Sequence, residues 1–451
     1  MQQKKEESPM LFSREDLRRL LIPLLLEQAL TVTIGMMDTI MVSGCGEAAV
    51  SGVSLVDTIN LLLSNVFAAL ATGGAVVASQ YLGKKDPEQA GRSAKMLFYV
   101  ILIASTAIMA LCLIFRVSML DAIYGTIEAD VMENARTYLF WSAVSYPFLA
   151  MYNASAALLR SMGNAKISLE TSLVMNLVNV AGNALLIYGL NMGVAGAAIA
   201  TLVSRILGAA VMQFALRNPR CTIPCPRLLQ FEWNGDLVKK ILKVGVPNGL
   251  EGSIFQLGKL ILLGLVSTFG TVSIAANAVG NTMASVEVLP GSAIGLGMIT
   301  VVGQCVGAHE FKQARIYVKR MMIMAYCSMA ALNVLILACL SLVVIPFNLS
   351  DETAEVAKQL IAIHGLGSIF IWPLAFVLPN ALRAAGDATF TMAVSIFSMA
   401  AFRVLFGYIL AQNCGMGVAG VWLAMVIDWV FRSTLFLIRM KGNKWERKVL
   451  V

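Results

Sequence analysis

The sequence is poor in charged residues and almost free of histidine. Of its 451 residues, 13% are charged and two are histidines, whereas about 25% of an average soluble domain is charged. The eight cysteines lie scattered, without the paired spacing of a zinc site or a disulfide framework. No Gly-Lys-Ser/Thr phosphate-binding loop is present, so ATP is not expected to be the energy source. These absences exclude a soluble domain, a zinc site of the usual spacing and a nucleotide-driven pump.

Apolar residues make up 58% of the sequence. They collect in runs that reach or exceed the roughly 20 residues needed for a membrane helix. Twelve runs can be counted, at 17–43, 54–82, 93–116, 133–160, 166–190, 193–217, 238–269, 274–307, 315–346, 355–382, 388–412 and 417–440. The predicted fold is therefore an all-α polytopic membrane protein with twelve transmembrane helices.

Lysine and arginine concentrate in alternate connections between these runs. They include Lys4 and Lys5 near the amino terminus, the cluster 217–243 and the tail 439–448, whereas the opposite loops are acidic. By the positive-inside rule, both termini are expected to be cytoplasmic in a plasma (inner) membrane protein. Topology thus explains the net charge of +8, and no nucleic-acid surface is expected. The amino terminus does not resemble a cleaved signal peptide, so the first helix is expected to direct insertion.

The second half of the chain repeats the first. A shift of 224 positions aligns Pro23 with Pro247, Glu27 with Glu251, Gln80 with Gln304, and Gly83 with Gly307. We predict two homologous six-helix lobes, 1–216 and 237–451, joined by a cytoplasmic linker at 217–236. Because six is even, both lobes enter the membrane in the same direction, as in transporters built from parallel repeats.

The stretch Leu20–Gly44 places Asp38 in an apolar run. A carboxylate at the centre of a membrane helix costs about 2.5–3.5 kcal/mol, so it needs a partner or a function. Pro23 removes a backbone hydrogen bond near the start of the run and favours a kink. This combination is typical of a cation-coupling helix. The alternative is a carboxylate that caps the helix or faces lipid headgroups, since the apolar run ends at Val42.

Several motifs in order along the chain resemble the multidrug and toxic compound extrusion (MATE) family. They are the Pro23…Asp38 helix, GGAVVASQYLG, GMITVVGQCVGA, LRSMGN with its repeat LRAAGD, and GVAGVWLAMVIDWVFR. The resemblance covers essentially the whole chain. It implies a secondary active multidrug efflux antiporter that exports amphipathic, often cationic, compounds in exchange for Na⁺ or H⁺. We therefore expect small-molecule substrates, alternating access between two lobes, no cofactor besides the coupling ion, and a monomer.

The resemblance also implies a cation site in the first lobe. Family members use an aspartate in helix one, two polar residues one turn apart in helix five and a threonine in helix six. The matching residues in this chain are Asp38, Asn179, Asn183 and Thr201. Their carboxylate, amide and hydroxyl oxygens would suit Na⁺ or a proton, and Asn176 lies on roughly the same helix face. The alternative for the asparagines is hydrogen bonding between helices.

The second lobe does not duplicate this site. Under the shift of 224 positions, Asp38 corresponds to Leu262 and Asn179 corresponds to Arg403. Further substrate or gating candidates are Pro23, Glu27, Glu251, Gln256, Lys259, Glu287, Arg403 and Asp428. Glu27 and Glu251 each follow a proline by four residues, which predicts architectural or gating positions. We expect Lys259 and Arg403 to pair with Glu251, Glu287 or Asp428, and both a buried ion-pair network and direct substrate contact remain open.

Two other functions are compatible with a polytopic fold. A lipid-linked oligosaccharide flippase of related architecture would need a more cationic central cavity, to which Lys259 and Arg403 would contribute. An intramembrane enzyme would need a nucleophile with its base, a metal cluster or paired acids. His309 lies in a loop and His364 is predicted to be isolated in helix ten, so no enzyme is expected.

Overall fold

The computed structural model describes residues 10–125, 127–218, 221–224 and 230–451. Within these ranges the chain forms helices and no strands, which confirms the predicted all-α membrane fold. Lys4, Lys5 and part of the predicted linker 217–236 lie outside the described residues.

The described residues of the first half of the chain form six long helices. In chain order they are α1 Arg14–Ser43, α2 Glu47–Gly83, α3 Pro87–Ile114, α4 Ala129–Ser161, α5 Lys166–Gly189 and α6 Gly193–Leu216. At the start of α1, the Ser13 side chain accepts a hydrogen bond from the Asp16 amide and the Asp16 carboxylate accepts one from the Ser13 amide. The last part of α5, Ala184–Gly189, is π-helical. Such wider turns are frequent at functional sites.

The second half, as far as the structure describes it, forms six further long helices in the same order. They are α7 Gly235–Ser267, α8 Thr271–Glu287 with Leu289–Gly307, α9 Phe311–Ala338, α10 Asp351–Phe370 with Pro373–Ala384, α11 Ala388–Asn413 and α12 Gly417–Lys441. The correspondence between the two sets confirms the predicted pair of homologous six-helix lobes.

Two helices that were predicted to be continuous are interrupted just before a proline. The run 274–307 becomes α8, which breaks at Val288 just before Pro290. The run 355–382 becomes α10, whose two segments meet at an angle of 65° just before Pro373. Proline has no backbone N–H and clashes with the preceding turn, so it starts a helix more easily than it continues one.

Among the described residues, ten helices are long and apolar enough to cross a membrane, and α10 makes eleven if its bent segments form one span. The twelfth predicted span, 133–160, forms as the helix α4 but is not among them. Its Ser142, Ser145, Tyr152 and Asn153 lower the hydropathy of this segment.

The two lobes come into backbone contact where α2 and α8 end. A Cβ atom added to Gly83 would lie 1.9 Å from the carbonyl oxygen of Gln304, and one added to Gly307 would lie 1.9 Å from that of Gln80. These two contacts are equivalent under the shift of 224 positions. Only glycine allows such backbone contact, so the sequence repeat produces a symmetric contact between the lobes, which we call the closed end.

The glutamines of the closed end tie it to neighbouring helices. Gln80 Nε2 donates to the carbonyl oxygen of Ala384 at 2.7 Å, and Gln304 Nε2 donates to that of Ser161 at 2.8 Å. The adjacent loops carry Lys84 and Lys85, which places the closed end on the predicted cytoplasmic side.

Candidate functional site

Asp38 lies near the end of α1 that is remote from the closed end. Its half-buried side chain lines a cavity of about 170 Å³ together with Asp57 of α2, Asn183 of α5, and Thr201 and Arg205 of α6. We call this space the first-lobe cavity.

A chain of hydrogen bonds joins the four residues predicted to bind the cation. Asn183 Nδ2 donates to Asp38 Oδ1 at 2.9 Å and to Asn179 Oδ1 at 3.3 Å. Asn179 Nδ2 in turn donates to Thr201 Oγ1 at 3.1 Å. The structure thus brings together all four residues, from helices α1, α5 and α6. Their role in ion binding stays a prediction.

One oxygen in this cluster is left without a protein partner. Asn183 Oδ1 is buried and accepts no hydrogen bond from the described residues. A buried acceptor of this kind costs about 1–3 kcal/mol unless it is satisfied. A cation beside Asp38 would satisfy it, and oxygen donors of these types suit a hard monovalent cation.

Sequence reasoning missed two charged residues of the first-lobe cavity, Asp57 and Arg205. Asp57 Oδ1 accepts a hydrogen bond from Asn60 Nδ2 at 3.2 Å, and Arg205 Nη1 donates to Ser145 Oγ at 2.6 Å. Both charges interrupt apolar runs, which was the signal that drew attention to Asp38. With two carboxylates and one guanidinium, the lining carries one net negative charge, which one monovalent cation would neutralise.

Glu27 and Glu251 occupy equivalent places in the two lobes. Glu27 Oε1 accepts a hydrogen bond from Ser168 at 2.8 Å and lies 3.8 Å from Arg160 of α4. Glu251 Oε1 lies 2.7 Å from Arg383 of α10. Each glutamate therefore links the first helix of its lobe to the fourth. Such a pairing fits the architectural position expected from the repeat.

Two other candidates lie apart from the Asp38 cluster. Asn176 donates to Ser172 one turn earlier on α5, at 3.3 Å. Pro23 lines a separate cavity of about 810 Å³ beside Arg18 and Arg19, near the closed end.

The predicted pairing in the second lobe is partly wrong. Asp428 Oδ1 lies 2.7 Å from Arg432 Nε, and its Oδ2 lies 3.7 Å from Arg403, so Arg403 does have a predicted partner. Glu251 pairs with Arg383 instead of Lys259, because the bent α10 brings that guanidinium to α7. Among the described carboxylates, none forms an ion pair with Lys259.

His364, which was predicted to be isolated, has close partners. Its Nδ1 hydrogen bonds with the carboxylate of Glu287 and lies 3.2 Å from Ser368 Oγ. The ring also packs edge-on against Trp429, with 5.1 Å between centroids. The prediction failed because Glu287 and His364 lie on different helices, whose contact the sequence pattern does not indicate.

Asp428 anchors a buried network that also includes the hydroxyl of Ser398. We expect Asp428→Asn to lower the free energy of unfolding by about 3 kcal/mol, because it leaves the buried Arg432 unpaired. Thermal unfolding of the purified protein in detergent would measure this loss. Asp121→Asn is the matched control, since Asp121 pairs with Arg136 at 2.9 Å in a half-exposed position where a pair contributes about 0–1 kcal/mol. Equal unfolding temperatures for the two variants would contradict the prediction.

Comparison with known proteins agrees with the fold and the repeat. The family model MatE matches twice, over residues 23–185 and 247–409. The chain belongs to the MatE family. The two matches are themselves 224 positions apart, one in each lobe of this MatE protein.

Relatives of this MatE chain are named as a transporter and as multidrug resistance proteins. It is 27% identical to an uncharacterized transporter, YisQ, of Bacillus subtilis, over 94% of each chain. It is 24% identical to a probable multidrug resistance protein, NorM, of Thermotoga maritima, over 99% of this chain and 96% of the relative. A solved structure of a MATE protein in the straight conformation aligns with a TM-score of 0.89 at 20% identity, over 96% of this chain and 97% of that one. The protein is thus a multi-pass membrane protein of a multidrug efflux transporter family, and the flippase alternative is not favoured.

Proposed function

We propose that the protein is a secondary active exporter of amphipathic small molecules. One monovalent cation, Na⁺ or H⁺, would enter at Asp38 and drive export. The observation that carries the proposal is the cluster around Asp38, in which a carboxylate of an apolar helix is joined to Asn183 and lines a cavity with one net negative charge.

The proposed direction of transport follows from the charges of the loops and from the closed end. We place the protein in the plasma membrane with both termini in the cytoplasm, because the positive-inside rule assigns its lysine-rich and arginine-rich connections to that side. The closed end would then seal the cytoplasmic side. The cleft between the lobes would then open outward, and a substrate would be released to the exterior.

Coupling requires that the cation bind the two conformations with different affinity, since equal affinity would shift no equilibrium. The first-lobe cavity is lined by α1, α2, α4, α5 and α6, so a change in their packing alters the distances between the cation and its oxygen donors. Pro23 deprives α1 of one backbone hydrogen bond and lets this helix bend. Cation binding would favour the outward-facing packing that expels the substrate.

The test is dye export by the purified wild-type protein in liposomes. Rhodamine 123, a cation, and carboxyfluorescein, an anion, cover both signs of substrate charge. Na⁺ and pH gradients are imposed separately, and ionophores that collapse each gradient serve as controls. We expect export of at least one dye under one of the two gradients and none without a gradient. If both dyes move no faster than in protein-free liposomes under every gradient, the proposal is wrong.

A further inference from the structure

The first-lobe cavity has a counterpart in the second lobe. A cavity of about 340 Å³, here called the second-lobe cavity, is bounded by α7, α8, α11 and α12 and by residues of α2 from the opposite lobe. Its lining residues Val266, Asn277, Val421 and Met425 stand 224 positions after residues of the first-lobe cavity, namely Val42, Val53, Ala197 and Thr201. The two cavities therefore occupy equivalent positions in the repeat.

The charges of the two cavities are reversed. Asp38 corresponds to Leu262 and Asp57 corresponds to Asn281, so both carboxylates are replaced. At the same time, Gly35 corresponds to Lys259 and Asn179 corresponds to Arg403. Among the described residues, the second-lobe cavity is lined by these two cationic side chains and by no carboxylate.

Within the part of the chain that the structure describes, no carboxylate neutralises the charge of Lys259. The two nearby carboxylates are engaged elsewhere, because Glu251 lies 2.7 Å from Arg383 and Asp428 lies 2.7 Å from Arg432. No described carboxylate forms an ion pair with Lys259 itself. The ring of Phe255, with its centroid 5.8 Å from Lys259 Nζ, offers only the weak attraction of an aromatic face.

Arg403 is only partly satisfied. Its side chain is buried, and its Nε and Nη1 donate no hydrogen bond to the described residues. It lies 3.7 Å from Asp428, whose carboxylate already pairs with Arg432 at shorter distance. Buried cationic groups are costly without a partner. The pair Lys259 and Arg403 therefore has unused capacity to bind an anion.

Most of the other lining residues are apolar, although Asn277 and Asn281 also face the cavity. Leu61 and Leu62 face it from α2, and Leu260, Leu263 and Trp422 face it from the second lobe. An apolar pocket with a few convergent polar groups is typical of small-molecule sites of about 300–1,000 Å³. The lining thus suits a molecule with an apolar body and one anionic group.

We propose that the second-lobe cavity binds an amphipathic organic anion. Its carboxylate, sulfonate or phosphate group contacts both Lys259 and Arg403. This inference rests on the proposed export function and names the class of its substrate. It replaces the cationic substrates implied by the family resemblance. The cation enters at the lobe with excess negative charge, and the anion leaves from the lobe with excess positive charge. Both movements carry positive charge inward, so export of the anion is electrogenic and an interior-negative potential accelerates it.

The experiment compares export of carboxyfluorescein and rhodamine 123, which share a xanthene ring system but differ in charge, under the gradient that drives transport. The wild type is expected to prefer carboxyfluorescein. Lys259→Gln is expected to raise the KM for this dye by about tenfold, which is the effect of losing one charge-assisted hydrogen bond. Lys259→Arg keeps the positive charge and is expected to largely restore the wild-type KM. Lys259→Glu lowers carboxyfluorescein export further and increases rhodamine 123 export. Lys239→Gln, an exposed lysine on the same helix, leaves both dyes unaffected.

Other outcomes separate this inference from the proposed function. If the wild type exports rhodamine 123 but not carboxyfluorescein, the anion assignment is wrong and the proposed export function is still supported. If Lys259→Gln loses export of both dyes equally, the anion assignment is also overturned, because Lys259 then has a structural or coupling role. Loss of carboxyfluorescein export when gluconate replaces chloride assigns the cavity to an inorganic anion instead. If neither dye moves under any gradient, both proposals fail.

Discussion

Asp38→Asn abolishes cation-driven export and leaves the protein folded. Asparagine has the same shape as aspartate and still offers an oxygen to Asn183 Nδ2, which lies 2.9 Å from Asp38 Oδ1. The variant nevertheless removes the charge that attracts the cation. Loss of one partner from a buried charge pair costs about 3–5 kcal/mol, which corresponds to a loss of cation affinity of more than about a hundredfold. Dye export from liposomes under the active gradient measures the effect.

The control for this experiment is Glu170→Gln, which removes a carboxylate from α5 without approaching the cavity. Glu170 pairs with Lys166 at the surface, with both side chains exposed, and such pairs contribute little. Asp57→Asn tests the second carboxylate of the cavity and should weaken export less than Asp38→Asn, because Asp57 bonds to Asn60 whereas Asp38 bonds to Asn183 of the predicted cation site. Wild-type export rates in Asp38→Asn protein of normal thermal stability would remove Asp38 from the coupling site.

The cluster around Asp38 was accessible to prediction because several independent signals fall on it. An aspartate in an apolar run is costly, and Asn179 and Asn183 are spaced by one helical turn. The family resemblance then linked these residues across helices that are distant in sequence. The structure joins them by hydrogen bonds of 2.9–3.3 Å.

Asp57 and Arg205 mark the limit of that reasoning. Each is an ionisable residue in an apolar helix, so each could have been selected on its cost alone. Their shared cavity depends on how α2 and α6 approach α1, and helical periodicity within one segment does not report which neighbouring helix a side chain reaches.

The same limit explains the wrong partners in the second lobe. Lys259 and Glu251 lie eight residues apart on α7, which places them near one face, yet Glu251 bonds to Arg383 of α10 at 2.7 Å. That contact depends on the 65° bend of α10. Pro373 in the sequence is a sufficient reason for α10 to bend, but the sequence does not indicate the direction of that bend.

The closed end leads to the second large expected effect, since Gly83→Ala forces the two lobes apart. The new methyl group would lie 1.9 Å from the carbonyl oxygen of Gln304, well inside van der Waals contact. Overpacking costs about 1–3 kcal/mol where flexible side chains can move aside, and here the opposing atom belongs to the backbone of α8. We therefore expect the outward-facing packing to be lost and gradient-driven export to fall to background.

Ser79, beside Gln80 in the closed end, is a suitable position to measure this change. It faces the opposite lobe, because a Cβ atom added to Gly303 would lie 2.8 Å from Ser79 Cβ. The Ser79 side chain is fully buried, so a single cysteine introduced by Ser79→Cys into a cysteine-free variant should resist maleimide. Gly83→Ala in that background should make this cysteine reactive, because the lobes no longer cover it. Gly264→Ala is the matched control, since a Cβ atom at Gly264 meets nothing within 4 Å. If the introduced cysteine stays protected and export continues in Gly83→Ala, the close approach of α2 and α8 does not seal the cytoplasmic side. If the cysteine becomes reactive and export stops, the repeated glycines are the contact on which alternating access depends.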